Sequence, residues 1–481
     1  MSTSDGAWSP LLPAARPDGT ATGAGAARFA AAGLRFRGAA GPFALLDTEL
    51  GDGSGFRRAA AAWLEATSSG CLTVIAVVEQ ALPADLADRV KASPEPGLPD
   101  GFDEAWLEAL PPPHVGTFLL RPIPGRVHLL LLQDDRQAAL DGLAGPIDAS
   151  LAHDLPTGRP ASRRGSAVTV VGAGLAGACV ARLLADHEVD VTVVDRGPPP
   201  GTPGEPLRGS SNPWLMCRPH LAAGPHPLAA LTRASWMLRD LYGDALTPLS
   251  GFVMGPRDGK LTDRHTKITE RWRGSPWLAP LPPLGPPFDE GYHQLEAGVL
   301  DGARAVANLL DGLDVHWNTE APAEGPRIWC TGTPREGRWS PVAGSVVRTP
   351  DRRLPPGLAV AAGHYAIDVA DGTVVGATRH RGRSVPADAP ASLPRAAHER
   401  LGLTLGAPVS VWRGVRAKTP DHLPVVGLVG DDAVSAGHGS KGSATAPICA
   451  ALVVAQWLGL PWPVPRAVAA ALAPDRRALK P

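Results

Sequence analysis

The chain has 481 residues, of which 44% are hydrophobic, and this is enough for two or three domains with cores of their own. Its 46 lysines and arginines balance 47 aspartates and glutamates, so the net charge of −1 supplies no overall attraction for nucleic acid and leaves only a local basic patch for that purpose. Five scattered cysteines without CxxC spacing argue against a zinc site or a disulfide framework and indicate a reducing compartment. No apolar run approaches the roughly 18 residues of a membrane span and no signal peptide follows Met1, so we expect a cytoplasmic protein without a membrane or metal partner.

The first part of the chain reads as a small α/β domain between two irregular segments. Residues 1–27 are rich in Ala, Gly, Ser and Pro, which predicts a disordered N-terminus. Residues 155–166 have the composition of a linker. Residues 28–154 lie between them and alternate between strand and helix patterns. The predicted elements are a strand at Phe43–Leu46, a helix at Phe56–Ala66, and strands at Cys71–Val78 and Val127–Leu132.

The segment after the linker carries the strongest motif in the chain. An apolar strand, Val168–Val171, runs into Gly172, Gly174 and Gly177, which fill a G-x-G-x-x-G frame ahead of an apolar helix, and Asp195 ends the next strand. The first glycine allows a tight turn, the second lets the backbone approach a pyrophosphate, and the third lets the helix pack on the sheet. The acid can accept hydrogen bonds from ribose hydroxyls. Because strand, turn, helix and acid occur in register, the sequence predicts a dinucleotide site rather than an ordinary glycine-rich turn.

The middle of the chain predicts helices and short strands, with a subdomain at roughly residues 236–290 and 340–405. Apolar residues at helical spacing predict helices at Pro227–Tyr242 and His293–Leu313. Strand-like segments are Arg327–Cys330, Gly344–Arg348, His364–Asp368, Thr373–Thr378 and Ala433–Ala436.

A second glycine-rich loop, GHGSKGSATAP, precedes an apolar helix predicted at Thr445–Leu458. Gly437, Gly439 and Gly442 again allow close backbone approach, and the N-terminus of the helix offers N–H groups and positive potential. A simple helix cap would have a similar sequence. One nucleotide needs only one such loop, whereas a flavin uses two, because its pyrophosphate lies at the first and the N1–C2=O edge of its ring lies at the second.

Several longer segments carry a family resemblance. They are GSSNPWLMCRPHL (209–221), YHQLEAGVLDGARAVANLL (292–310), PVAGSV (341–346), TVVGATRHRG (373–382) and GVRAKTPDHLPVVG (414–427), the last followed by the second glycine loop and its helix. Their order resembles the D-amino-acid-oxidase-like family of FAD enzymes, to which glycine and sarcosine oxidases belong. Within it they most resemble the C-terminal domain of the bifunctional tRNA 5-methylaminomethyl-2-thiouridine biosynthesis (MnmC) family. The motifs span Ala167 to Arg477.

The resemblance implies an α/β fold in which an FAD-binding Rossmann-like domain carries an α+β substrate domain of the D-amino-acid-oxidase type, over residues 167–481. It implies FAD as the cofactor and oxidation of an N-substituted glycine, with the cofactor carrying the hard chemical step. In the MnmC family this reaction removes the carboxymethyl arm from carboxymethylaminomethyl-uridine at the tRNA wobble position. The residues that the resemblance assigns to FAD are Gly172, Gly174, Gly177, Asp195, Arg196, Asn212, Gly332, Gly439, Ser440 and Gly442.

Two basic residues are candidates for the chemistry. Arg416 suits the substrate carboxylate, and Lys441 suits a position beside the flavin, where negative charge builds on reduction. Either residue could instead form a surface salt bridge. The pair Asp421 and His422 could be purely structural, because Asp in such turns usually caps backbone.

The N-terminal domain resembles, more faintly, the methyltransferase half of the MnmC family. Gly51, Gly53 and Gly55 have the place of its S-adenosylmethionine loop, and Glu79 has the place of the acid that holds the ribose. At Ile147–Gly158, however, the family's aspartate–glycine–phenylalanine–alanine–proline signature is absent, and the segment that would complete the enzyme is missing. We therefore expect a truncated Rossmann-like domain of methyltransferase type that transfers no methyl group and does not use S-adenosylmethionine.

Three functions stay open at this point. The first is a tRNA-modifying FAD oxidoreductase, and the second is an FAD oxidase of free glycine-like or sarcosine-like amines, which the neutral net charge and the degenerate first domain favour. The third is a flavin-binding or tRNA-binding protein without turnover. Basic residues around the substrate cleft would favour tRNA, with Arg379, His380, Arg381 and Arg383 as candidates, whereas a small closed cavity would favour free amino acids.

Overall fold

The computed structural model describes residues 41–47, 50–150, 167–202, 209–332 and 338–480. The predicted disordered N-terminus 1–27 and the predicted linker 155–166 lie outside these residues. Among the helices that are described, none is both long enough and apolar enough to cross a membrane.

The N-terminal domain is built on a five-stranded sheet. Leu72–Val78 and Val127–Gln133 are buried at every position, because their runs of Val, Ile and Leu present apolar side chains to both faces. The order across the sheet is Gly116–Ile123, Val127–Gln133, Leu72–Val78, Phe43–Asp47 and Ala149–Ser150, and all neighbours are parallel except the first pair. The helices are Ser54–Ala66, Leu86–Ala92, Phe102–Glu108 and Arg136–Gly142. The predicted strands and helix are present, while the antiparallel strand Gly116–Ile123 is an addition to the prediction.

A six-stranded sheet carries the first glycine motif. Its order is Asp314–Trp317, Val191–Asp195, Val168–Val171, Arg327–Trp329, Asp432–Ala436 and Val425–Val429, and it is parallel except for the last pair. The helix Leu175–Asp186 follows the glycine turn and packs against the helices Gly302–Leu310 and Gly442–Leu458. The last of these is apolar on all sides and almost wholly buried, as expected for an interior helix.

The remaining strands form what we call the antiparallel lobe. Its nine-stranded sheet runs Leu278–Ala279, Tyr292–Gln294, Gly251–Met254, Leu358–Ala362, His364–Val369, Gly372–Gly376, Ser340–Thr349 and His380–Arg381, with Ser410–Lys418 also paired to Ser340–Thr349. A three-stranded sheet of Leu215–Cys217, Gly298–Leu300 and Leu246–Pro248 stands beside it. The helices Pro227–Trp236, Gly259–Arg271, Leu393–Leu401 and Arg466–Leu472 complete the described fold. The sheet extends past the predicted limit at residue 405, because Ser410–Lys418 joins it.

Two predicted helices differ from the structure. The helix predicted at His293–Leu313 begins only at Gly302, because the Asp301 carboxylate caps it by accepting from the N–H of Arg304 at 3.1 Å. The residues before it form strands instead. The helix predicted at Pro227–Tyr242 ends at Trp236 and continues as a 3₁₀ turn.

Candidate active site

The three glycines of the first turn have separate structural roles. Gly172 has a φ of +106°, and a Cβ there would lie 2.5 Å from the carbonyl oxygen of Cys330. A Cβ on Gly177 would overlap the carbonyl oxygen of Gly172, so this glycine allows the helix to pack against the turn. Gly174 caps the helix, and a Cβ there would meet only Ser210 Oγ, at 3.8 Å. Within the part of the chain that the structure describes, the turn therefore leaves open space next to a helix N-terminus without a side-chain cap, which is the arrangement that a pyrophosphate requires.

Asp195 closes the first turn from the neighbouring strand. One carboxylate oxygen accepts from the N–H of Ala173 at 2.8 Å, and the other accepts from the N–H of Gly197 at 2.9 Å. This carboxylate thus lies beside the glycine turn, where the ribose of a dinucleotide is expected, and Arg196 next to it is exposed. The ribose contact stays a prediction.

The second glycine loop lies at the same edge of the sheet as the first. The strands Val168–Val171 and Asp432–Ala436 are both parallel neighbours of Arg327–Trp329, so the loops after all three strands meet. The N–H of Gly437 donates to the carbonyl of Gly332 at 3.0 Å, which joins two of these loops. Because ligands of such sheets bind at the carboxyl ends of the strands, both loops face one crevice.

The other predicted FAD residues occupy this edge in different ways. Gly439 has a φ of +57° and Gly442 begins the buried helix, while Ser440 is exposed. Asn212 is buried, and its side-chain oxygen accepts from the N–H of Trp214 at 2.9 Å. The Asn212 side chain therefore holds a local turn, and its contact with FAD stays a prediction.

Four cations gather between the loops and the antiparallel lobe. Arg416 lies on Ser410–Lys418 opposite Val342, and burial together with Arg379 lowers its pKa. Burial lowers the pKa of Lys441, and the nearby charges of Arg218 and Arg379 lower it further. Among the described residues, no carboxylate forms an ion pair with Arg218, Arg379, Arg416 or Lys441. Arg218, Arg416 and Lys441 are partly removed from water without a counter-ion, and together with the exposed Arg379 they form a site for an anion.

Arg218 is a site residue that the sequence reasoning missed. It is buried, its guanidinium lies 4.3 Å from the centre of the Phe252 ring, and it donates to Gln294 Oε1 at 3.0 Å. Gln294 is fully buried and donates in turn to the carbonyl of Pro219 at 3.0 Å. The arginine is thus held in one orientation beside Lys441. A charged residue inside the apolar segment LMCRP was the available sequence signal.

Tyr365 is the second missed residue. Its ring lies against Gly376, where a Cβ would be 2.5 Å from the hydroxyl oxygen. Burial raises the pKa of Tyr365 to about 12, and the nearby Arg416 opposes this rise. The phenol therefore keeps its proton at neutral pH and can donate a hydrogen bond next to Arg416.

Asp421 is structural, as the alternative interpretation held. Its carboxylate pairs with Arg476 at 2.8 Å and accepts from the N–H of Leu423 at 3.2 Å. Both bonds fix the turn that leads into Val425–Val429. No described contact directs Asp421 towards Arg416.

A basic rim lies beside the cation cluster. Strand pairing places Lys418 opposite Ser340, and His380 opposite Ala343, at one end of the large sheet. His380 is half-buried there. The basic rim consists of the exposed residues Arg338, Arg379, Arg381, Arg383 and Lys418. The Arg383 guanidinium also lies 5.7 Å from the centre of the Trp339 ring. Among the described residues, none of these five side chains is paired with an acid.

The two glycine loops at one sheet edge, together with the antiparallel lobe, define an FAD-dependent oxidoreductase. Residues 167–456 match the FAD dependent oxidoreductase family (DAO), and the chain belongs to that family. FAD is therefore its cofactor, and the open turn at Gly174 fits the group. Bound FAD would supply the acceptor for a hydride. Within the described residues there is no cluster of three or more His, Cys, Asp or Glu that could hold a metal.

The chain is also similar to curated bacterial proteins named tRNA 5-methylaminomethyl-2-thiouridine biosynthesis bifunctional protein MnmC. The protein from Maricaulis maris is 29% identical over 319 residues, which cover 61% of this chain and 52% of the relative. The one from Caulobacter sp. strain K31 is 29% identical over 356 residues, which cover 64% and 57%. The expected MnmC-like resemblance is thus confirmed. The chain spans about half the length of these relatives.

Two solved structures show the same fold. Glycine oxidase from Geobacillus kaustophilus has a TM-score of 0.51 at 21% identity, covering 60% of this chain and 94% of that one. Iminodiacetate oxidase from Chelativorans sp. BNC1 has a TM-score of 0.52 at 18% identity, covering 64% and 98%. At these identities the likeness concerns the fold alone.

Lys441 is expected to have opposite effects on stability and on flavin reduction. Burial, with Arg218 and Arg379, lowers the pKa of Lys441 to about 7 from its ordinary value of 10.5. Between these two pKa values the unfolded chain binds a proton that the folded chain does not, so the free energy of unfolding rises with pH. The buried charge of Lys441 therefore destabilises the folded chain most below about pH 7. In Lys441→Met we expect a higher melting temperature of the apoprotein at pH 7, with a difference that shrinks towards pH 10.5.

From the predicted position of Lys441 beside the flavin, we expect the same substitution to slow flavin reduction roughly 10- to 100-fold, because a cation next to bound FAD would stabilise the negative charge added on reduction. Thermal melts at several pH values and rapid-mixing reduction kinetics measure the two effects. A variant with wild-type reduction rates would show that Lys441 serves only the scaffold.

Proposed function

We propose that this chain oxidises the carboxymethylaminomethyl group of uridine at the wobble position of tRNA and removes its carboxymethyl arm. Bound FAD would supply the acceptor for a hydride from the arm's carbon next to the amine, while the amine loses a proton and its lone pair forms the C=N bond. Water would then hydrolyse the imine to glyoxylate and the aminomethyl-uridine. The observation that carries the proposal is the cluster of unpaired cations between the FAD loops and the antiparallel lobe. It fits a substrate that brings its own carboxylate.

Three of the four cations have distinct proposed roles. Arg416 binds the substrate carboxylate through a two-pronged fork, which the planar guanidinium forms and an ammonium does not. Lys441 stabilises charge at the flavin ring. Arg218, held by Gln294 and Phe252, keeps positive potential next to Lys441.

The relatives' name and the basic rim support tRNA as the substrate. Exposed arginines without acidic partners attract phosphates, and an aromatic ring such as that of Trp339 can stack an unpaired base. We expect Arg381→Glu/Arg383→Glu to weaken tRNA binding roughly 10- to 100-fold at low salt, with a smaller loss at high salt. Filter binding across a salt series checks this. Arg304→Glu is the matched control, because Arg304 is exposed but already paired with Asp244.

Mass spectrometry of wobble nucleosides from a deletion strain tests the proposed function directly. We expect carboxymethylaminomethyl-uridine to accumulate and to disappear when the gene is restored. Unchanged nucleosides, combined with rapid flavin reduction by free sarcosine, would identify an oxidase of free amines instead. Unchanged nucleosides with no reduction by either substrate would identify a binding protein without turnover.

We also propose that the N-terminal domain is a degenerate methyltransferase that binds no S-adenosylmethionine. Trp106 is fully buried and covers the glycine turn, since a Cβ on Gly53 would lie 2.8 Å from its ring. The Trp106 indole N–H donates to Asp103 at 3.2 Å, which holds the ring there. The domain thus fills with its own side chain the space that such a turn leaves for a nucleotide.

Isothermal titration with S-adenosylmethionine is accordingly expected to give no measurable heat. Incubation of tRNA carrying the free aminomethyl group with methyl-tritiated cofactor should give no labelled product. Robust incorporation would show that the domain still transfers methyl groups despite Trp106.

A further inference from the structure

The strands Gly116–Ile123 and Val127–Gln133, with the residues just before them, form a hairpin that we call the bridging hairpin, residues 114–133. It belongs to the N-terminal sheet, yet its two ends contact different parts of the rest of the chain. About seven extended residues separate His114 near the open end from Arg121 near the turn, which corresponds to roughly 23 Å. The hairpin therefore connects two distant points.

The turn end holds the helix that starts at the FAD loop. Arg121 donates to Asp186, the last residue of Leu175–Asp186, at 3.0 Å, and to Asp240 at 3.1 Å. Only 4% of the Arg121 side chain is exposed. Gly125 in the turn packs so closely on the Asp186 carbonyl that a Cβ would overlap it. The C-terminal end of this helix is thus fixed by the N-terminal domain.

The open end holds the antiparallel lobe. The ring centre of His114 lies 4.7 Å from that of Trp277 and 5.5 Å from that of Trp272, and all three residues are buried. Burial lowers the pKa of His114 to about 3, so a neutral imidazole packs between the rings at neutral pH. Arg233 also donates to the carbonyl of Val115 at 3.3 Å.

We infer that the bridging hairpin is a strut that sets the spacing between the FAD-binding helix and the antiparallel lobe. Arg121 is its positioning residue. A helix of 12 residues is a rigid rod of about 18 Å, so fixing its C-terminal end also fixes the N-terminus that faces the pyrophosphate. The N-terminal domain thereby contributes to FAD binding without touching FAD. This inference goes beyond the proposed function and does not depend on the identity of the substrate.

The test compares two variants that remove the ion pair between the hairpin and the FAD-binding helix with one variant that removes an ion pair inside the N-terminal domain. Arg121→Ala and Asp186→Asn each remove the Arg121–Asp186 pair, from opposite sides of the interface. Arg57→Ala is the matched control, because Arg57 is equally buried but pairs with Asp103 within the N-terminal domain at 2.7 Å. We expect the first two variants to raise the Kd for FAD about tenfold, measured by fluorescence quenching on the full chain.

Amide hydrogen exchange, compared between segments of the same variant, distinguishes a local change from a loss of global stability. Exchange at Leu175–Asp186 should accelerate in Arg121→Ala and Asp186→Asn, and Arg121→Lys should restore part of the protection. In His114→Ala, exchange should accelerate around Trp272 and Trp277. Arg57→Ala should lower the melting temperature, leave the Kd for FAD unchanged, and accelerate exchange at neither segment relative to the rest of the chain. Wild-type FAD affinity in both bridge variants, or an equal loss in Arg57→Ala, would overturn the inference.

Discussion

Arg416→Lys should lower kcat/KM about 10- to 100-fold while leaving FAD bound, because a lysine cannot reproduce the two-pronged contact with a carboxylate. Arg416→Met should cost roughly 10²–10³-fold, since the substrate carboxylate would then leave water without a charged partner. Arg416 makes no ion pair within the described residues, so its replacement leaves no carboxylate there without its ion-pair partner. Rapid-mixing reduction with modified tRNA, and separately with sarcosine, measures the effect.

Arg413→Lys is the control for this experiment. Arg413 lies on the same strand but three positions away, and successive side chains of a strand point to opposite faces, so it faces away from Arg416. We expect Arg413→Lys to reduce FAD at the wild-type rate. Wild-type kinetics in Arg416→Lys on whichever substrate reacts would assign Arg416 to the scaffold, and the proposed carboxylate site would fall with it.

The parts of the site that depend on local backbone geometry were predictable from the sequence. Gly172, Gly174 and Gly177 are spaced by the requirements of one turn and one helix, so the motif specifies their roles before any tertiary contact forms. The structure agrees, since a Cβ would collide with backbone at the first and third positions and would meet open space at the second. The two loops could also be matched to a flavin, because each stands between a strand and a helix.

Residues whose role depends on packing were not predictable in the same way. Arg218 becomes a site residue only because Gln294, 76 positions later, receives its hydrogen bond. Trp106 gives no sequence signal of lying over Gly53, because that contact joins two separate elements. The helix predicted at His293–Leu313 was wrong in its N-terminal part for a related reason, since apolar spacing does not distinguish a helix from two short strands followed by a capped helix.

Gly174→Leu should give a folded but colourless protein, with an affinity for FAD reduced by more than about 100-fold. Gly174 has φ −81° and ψ −176°, which any residue can adopt, and its Cβ would meet only Ser210 Oγ at 3.8 Å. The backbone conformation and the space around the Cβ therefore permit a substitution, at a cost of about 1 kcal/mol for the lost glycine cap. The leucine side chain would exclude the pyrophosphate, because it would fill the space next to the helix N–H groups. Far-UV circular dichroism, thermal melts and the flavin spectrum of the purified variant measure fold and cofactor separately.

Gly177→Ala is the contrasting control, because three residues along the same turn a Cβ overlaps the carbonyl oxygen of Gly172. That change moves the helix off the sheet, so we expect loss of soluble folded protein and of FAD together, as overpacking of a close contact costs about 1–3 kcal/mol or more. Gly174→Ala should lie between the wild type and Gly174→Leu, with FAD retained at lower affinity and an unchanged fold. The order of FAD affinities, wild type above Gly174→Ala above Gly174→Leu, follows from side-chain volume alone if the pyrophosphate occupies this space. A yellow Gly174→Leu protein with wild-type affinity would place the cofactor elsewhere, and the assignment of the first glycine turn would be wrong.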